Sequence, residues 1–197
     1  MGHDFIEIRQ YSLSDKPASD HYRISVKREL TDPKGLVSNY LHDNIQVGDV
    51  IKVHPPAGDF FFVDRNSPVV LISGGVVITP MKTMLEYQAE ENYQNPVYHL
   101  HACEHKAQHS FDFRTSELCE EHGWKNYTWY RKNNDSQNVG KFSGLMDLSA
   151  VELPLDNGDF YVCGPVVFMR FVKQALLDFG VDESRIHYEV FGPYDAF

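Results

Sequence analysis

The tightest constraint in this chain is Val69-Val70-Leu71-Ile72-Ser73 running into Gly74-Gly75-Val76-Val77-Ile78-Thr79-Pro80. Val69 to Ser73 is apolar, rich in β-branched residues and too short for a helix, so it reads as a buried strand. The paired glycines then make a tight turn, Thr79 is expected to cap a helix, and Pro80 suits that helix's first position. A strand, a glycine turn and a helix N-terminus aim backbone N–H groups and a positive dipole end at one point, which suits a phosphate. Gly74, Gly75, Thr79 and Pro80 are therefore candidates for holding a nucleotide. Val77 stands where a phosphate-facing loop would most favour a third glycine.

From Pro68 onward the texture is strand–helix alternation. Strands are predicted over 69–73, 97–102, 127–130, 160–162 and 186–190, with helices over 80–92, after Ser110 as a cap, and over 166–179 up to Gly180. In the last helix, Phe168, Phe171, Val172, Leu176 and Phe179 form the expected core stripe. Such alternation predicts an α/β fold, a five-stranded parallel sheet with helices on both faces. Residues 1–66 read differently. Tyr22, Ile24 and Val26 alternate with Arg23, Ser25 and Lys27, the pattern of a half-buried strand, and 5–11, 50–53 and 60–63 are strand-like. A short helix is expected over 35–43 and a polar loop over 135–138. The expected division is thus 1–66 and 67–197.

Composition bounds the function. A net charge of -10 disfavours nucleic acid, and no apolar stretch approaches the ~20 residues of a membrane span. Cys103, Cys119 and Cys163 are odd in number and far apart, and nothing near Met1 resembles a secretory signal, so a reduced, cytoplasmic protein is expected. His99, His101, His105 and His109 invite a metal reading. A strand ending near Ala102 would break their helical repeat, and they are read instead as a histidine-rich surface loop, with no metal site. Glu117, Glu120 and Glu121 read as a solvated acidic helix face.

Further motifs recur in order: Arg9-Gln10-Tyr11-Ser12, Lys34-Gly35-Leu36-Val37-Ser38, Thr128-Trp129-Tyr130-Arg131, Gly144-Leu145-Met146-Asp147-Leu148, Cys163-Gly164-Pro165 and His187-Tyr188-Glu189-Val190-Phe191-Gly192-Pro193. With the glycine turn, this set resembles the ferredoxin-reductase superfamily, and within it the reductase portion of flavohaemoglobins, the nitric oxide dioxygenases. The resemblance implies that 1–66 is the C-terminal part of an antiparallel FAD-binding β-barrel and that 67–197 is an NAD(P)H-binding α/β domain. It implies that Arg9 pairs with the flavin pyrophosphate, Tyr11 lies against the flavin ring and Ser12 bonds near the edge that accepts hydride. Gly35, Val37 and Ser38 would offer amides to the pyrophosphate. Thr79, Cys163, Gly164 and Pro165 would frame the nicotinamide, Glu189 would neighbour the flavin, and Phe191 would cover its face. Tyr11, Ser12, Cys163 and Glu189 are the residues implied nearest the chemistry.

The implied activity is hydride transfer from NADH to FAD, then single electrons to a haem in a globin domain that this chain lacks, for nitric oxide dioxygenation. Glu104 after the second strand favours NADH, while Arg131 and Lys132 leave NADPH open. The chain departs from the resemblance at Val77 and Val167, where glycines are expected against the dinucleotide. If Val77 had to keep a positive φ, strain of roughly 1–3 kcal/mol would follow, and nicotinamide binding is expected to weaken. Arg9 also follows the start almost at once, so the barrel is expected to be truncated, with open strands that self-associate. Two other functions stay open: a stand-alone NAD(P)H:flavin reductase, and a non-enzymatic fragment with impaired cofactor binding.

Overall fold

The computed structural model describes residues 7–16, 18, 20–132 and 139–190. Its strands are β1 (Val69–Gly74), β2 (Val97–Cys103), β3 (Lys125–Tyr130), β4 (Lys141–Ser143), β5 (Asp159–Cys163) and β6 (Ile186–Tyr188). They form one parallel sheet in the order β4-β3-β2-β1-β5-β6. The sequence predicts five of these; the sixth, β4, is an edge strand of three residues, too short to show a period. It is held by pairing from Thr128 to Lys141 and by Phe142 stacking on Trp129 with centroids 4.7 Å apart.

The helices are α1 (Leu36–Asn44), α2 (Thr79–Glu90), α3 (Asp112–Glu121) and α4 (Val166–Asp178). All six positions of β1 are buried because successive side chains feed opposite layers. Val70 and Ile72 join Leu100, Phe160 and Val162 beneath Met169, Val172 and Leu176 of α4. Val69 and Leu71 pack with Tyr161 and Cys163 beneath Met81, Met84 and Leu85 of α2 and Leu118 and Cys119 of α3. Each such aliphatic side chain stabilises the fold by about 1.5–3 kcal/mol.

Several local expectations are corrected. Ile78, not Thr79, occupies the cap position of α2, with Thr79 and Pro80 inside its first turn. Ser110 does not cap α3; Phe111 does, in the left-handed conformation at φ 63°, with no side-chain capping bond. The buried line of α4 is Met169, Val172 and Leu176, spaced three and four apart. Phe171 and Phe179 lie on its exposed flanks, and Phe168 is half-buried.

In 1–66, expected as an antiparallel barrel remnant, regular strand pairing is sparse among the described residues. Outside α1 that region has no strand, only an isolated antiparallel bridge between Leu13 and Ile24. An alternating pattern supplies a face, but a strand exists only through bonds to a neighbour. Instead the region is attached by side chains. Phe60 and Phe62 pack on Tyr161 at 6.0 and 6.2 Å, and the Tyr161 hydroxyl accepts the Val63 N–H at 3.1 Å. The loop expected over 135–138 lies outside the described residues. No described helix is long and apolar enough to cross a membrane.

Candidate nucleotide-binding crevice

Strand order reverses direction at β1, because the chain leaves it toward β2 on one side and returns as β5 on the other. The C-terminal ends of β1 and β5 therefore flank the crevice where open α/β sheets take their ligands. Ser73 pairs with Cys163, so the turns beginning at Gly74 and Gly164 lie side by side. A Cβ on Gly164 would stand 2.6 Å from the Phe168 ring and 3.3 Å from the Gly74 nitrogen; one on Gly74 would meet the same ring at 2.9 Å. These glycines are thus required by the close approach of two backbones under Phe168. Gly75 differs: it holds φ +67° with open space where a side chain would point, and its N–H donates to the Ala102 carbonyl at 2.8 Å. That open, side-chain-free position before the first turn of α2 fits an approaching dinucleotide.

The valines of the turn behave unequally. The left-handed non-glycine residues among those described are Asn66, Asn92 and Phe111, so the backbone strain considered for Val77 does not arise. Val77 packs partly against the cluster of Leu71, Met81 and Cys163. Val167 in the first turn of α4 is 80% exposed beside Pro165, also exposed.

Cys163 is fully buried, and burial, reinforced by the Glu189 carboxylate, pushes its thiol far up. It is a neutral thiol, not a thiolate nucleophile. Burial and then Asp59 likewise raise the Glu189 carboxyl. A Glu189 carboxyl oxygen lies 3.4 Å from a Cβ position on Gly58. Thr79 and Pro80 are buried across the same crevice, at the start of α2.

The flavin-facing residues implied by resemblance are less tightly gathered. Arg9 is half-exposed, and its guanidinium donates to Glu7 and to the Ile8 carbonyl, both at 2.8 Å. Tyr11 and Ser12 are half-buried, and burial raises the Tyr11 phenol against the lowering charge of Arg9. At the start of α1, Gly35 is glycine because a Cβ would sit 2.5 Å from the Ser38 hydroxyl and 2.9 Å from Glu29. Ser38 donates to the Gly35 carbonyl and accepts the Glu29 N–H, so its hydroxyl is engaged. The first amide to close the helix is Asn39 onto Gly35, which leaves those of Leu36, Val37 and Ser38 without an intrahelical acceptor. That end fits an anionic group. Phe191 lies outside the described residues.

Two features escaped sequence reasoning. His99 and His101 are not in a surface loop but buried on β2, facing α3 with His109. Their rings stack, His99 on His101 at 6.4 Å and His101 on His109 at 4.4 Å. Ser73 meets His101, Asn126 meets His99 and the Tyr130 hydroxyl meets His109, each at 2.9 Å. Among the described residues no group of His, Cys, Asp or Glu is arranged to hold a metal. The second feature is the buried pair Lys82 and Glu86 on α2, at 2.7 Å; the four-residue spacing of opposite charges was its only sequence signal.

At the C-terminal ends of β2 and β3, Glu104 pairs with Arg131 and Lys132, each at 2.9 Å. Two open concavities of about 520 and 470 Å³ lie elsewhere, by Trp124 and by Leu148.

The chain matches known proteins along most of its length. Residues 71–174 match the oxidoreductase NAD-binding domain, and 3–62 the oxidoreductase FAD-binding domain. The chain is 49% identical over 195 residues to a flavohemoprotein of Vibrio cholerae serotype O1, covering 98% of this chain and 48% of that protein. It is 42% identical over 202 residues to a flavohemoprotein of Bacillus cereus, covering 98% of this chain and 50% of that one. The chain thus spans about half the length of these curated relatives. The crystal structure of the flavohem-like FAD/NAD-binding domain of nitric oxide dioxygenase from V. cholerae O1 biovar El Tor superposes with a TM-score of 0.90 at 49% identity. That match covers 96% of this chain and 79% of the other.

Proposed function

This chain belongs to the oxidoreductase NAD-binding domain family, paired with a match to its FAD-binding partner domain, and we propose that it is the reductase module of a flavohaemoglobin. When bound, the nicotinamide supplies a hydride and the flavin accepts it, for onward delivery as single electrons to a globin haem in nitric oxide dioxygenation. The observation that carries this reading is the pair of abutting turns at Gly74 and Gly164 with the open left-handed Gly75 between them and α2.

The chain's own residues do the placing. Thr79, Cys163 and Pro165 frame the nicotinamide, with the buried neutral thiol as an uncharged wall that excludes water. Tyr11 and Ser12 hold the flavin ring, while Arg9, released from Glu7, and the amides at the start of α1 receive its pyrophosphate. Glu189, its carboxyl raised by burial and by Asp59, keeps a polar face toward the ring. Glu104 takes the adenosine ribose. Because it also neutralises Arg131 and Lys132, NADH is preferred over NADPH. The test is anaerobic single-turnover mixing of NADH with the FAD-loaded chain. Loss of oxidised-flavin absorbance, slowed by deuterium at the transferring position, is expected; a chain that takes up FAD and stays oxidised contradicts the reading.

A further inference from the structure

Helix α2 begins at Thr79 in the nicotinamide crevice, and its next turn grips the segment that carries Tyr11 and Ser12. The Thr83 hydroxyl has one proton and two carbonyls in reach: Leu13 at 2.9 Å, and Thr79, one turn back, at 3.1 Å. Beside it the Lys82 ammonium donates to the Ser14 carbonyl at 2.8 Å. Lys82 is only 5% exposed; Glu86 pairs with it at 2.7 Å and Asp15 stands 4.0 Å away. Arg114 from α3 reaches Glu86 at 3.4 Å, and Arg23 reaches Asp15 at 2.7 Å. The segment is closed from its other side, since the Ser14 N–H donates to the Arg23 carbonyl at 2.9 Å and Ser25 donates to the Ser14 hydroxyl at 2.8 Å. A buried lysine aimed at a main-chain carbonyl is an expensive way to hold an ordinary loop, because its ammonium must be desolvated.

We infer that Thr83 and Lys82 are positioning residues that use α2 as a ruler, fixing the Tyr11–Ser12 segment relative to Thr79 and so setting the separation at which the two rings meet. The inference rests on the proposed reductase function and deepens it. Neither residue touches a cofactor. They act through the backbone of residues 13 and 14, immediately beyond Ser12. Hydride transfer needs near-attack separation, so a small loosening here lowers the rate without removing a binding contact.

The experiment compares the wild-type chain with Thr83→Val, which keeps the shape and loses the proton, and with Thr83→Ser, which restores the hydroxyl. Amide hydrogen exchange over residues 11–16 reads the latch without any cofactor, and anaerobic single turnover with FAD and NADH reads the transfer. In Thr83→Val, exchange is expected to rise about tenfold and the flavin-reduction rate to fall about tenfold, with FAD and NADH dissociation constants within about twofold. Thr83→Ser should return both to near wild type. Lys82→Met, which removes the bond to the Ser14 carbonyl and leaves Glu86 with Arg114, should raise exchange further. Unchanged exchange in Thr83→Val, or raised exchange with an unchanged rate, overturns the inference while leaving the reductase function standing. A wild-type chain that takes up neither cofactor overturns that function, and the ring spacing with it.

Discussion

Asp159 shows how one side chain fastens the chain's two regions. It opens β5, almost wholly buried, and receives Arg65 at 2.7 Å, Ser67 at 2.5 Å and His187 at 3.1 Å. Burial pushes its carboxyl up, but the Ser67 hydroxyl, His187 and Arg65 together hold it below the usual carboxylate range. Its contribution is therefore present above the ordinary aspartate value and is lost as pH falls through the lower, folded one. Asp159→Ala should cost about 2–4 kcal/mol at neutral pH by denaturant unfolding, and much less in acid. Gly164→Ala should cost about 1–3 kcal/mol, since its methyl meets Phe168 and the Gly74 nitrogen, and Phe168→Leu in the same chain should recover part of that. Val77→Gly should lower stability by about 1–2 kcal/mol, because its methyls are packed inward. The turn between β1 and α2 was legible from its paired glycines, but not that Gly74 and Gly164 are glycines for each other's sake. That reason lies in two strands far apart in sequence.

At the scale of elements, β1 and β5 were legible as short apolar runs, and β2, β3 and β6 as short segments rich in β-branched and aromatic residues between helices. β4 was not, nor was the sparseness of strand pairing among the described residues before 66, because alternation reports a face and not a partner. The buried histidines misled for a related reason. Polar residues on β2 look like a loop until Ser73, Asn126 and Tyr130 arrive from neighbouring elements to meet them. Burial lowers all three imidazoles, His101 well below the ordinary value and His109 to about 4. Neutral in the fold and protonated when unfolded, they destabilise the native state progressively as pH falls from about 6.5, each by up to about 1.4 kcal/mol per pH unit until its own folded value is reached. Urea midpoints should therefore drop steeply between about pH 6.5 and 4. His109→Gln, which can still reach Tyr130, should shallow that slope by about one proton.

For the whole molecule, the sheet sets the line along which a dinucleotide would lie. It runs from the abutting turns of β1 and β5 to Glu104 at the end of β2. Glu104→Ala should shift preference toward NADPH by about tenfold in relative affinity, since Arg131 and Lys132 lose their carboxylate. The region before residue 66 carries exposed Tyr22, Leu36, Val50, Val53 and Phe61, and sedimentation should show association that Val50→Lys with Val53→Lys weakens. The central claim is that the crevice over Gly75 receives a nicotinamide dinucleotide. Its most direct test is titration of the backbone-assigned chain with NADH, followed by amide chemical shifts. Saturable changes over residues 74–79, 163–167 and around 104 are the predicted result; an unresponsive crevice, or shifts confined to the concavities by Trp124 and Leu148, would contradict it.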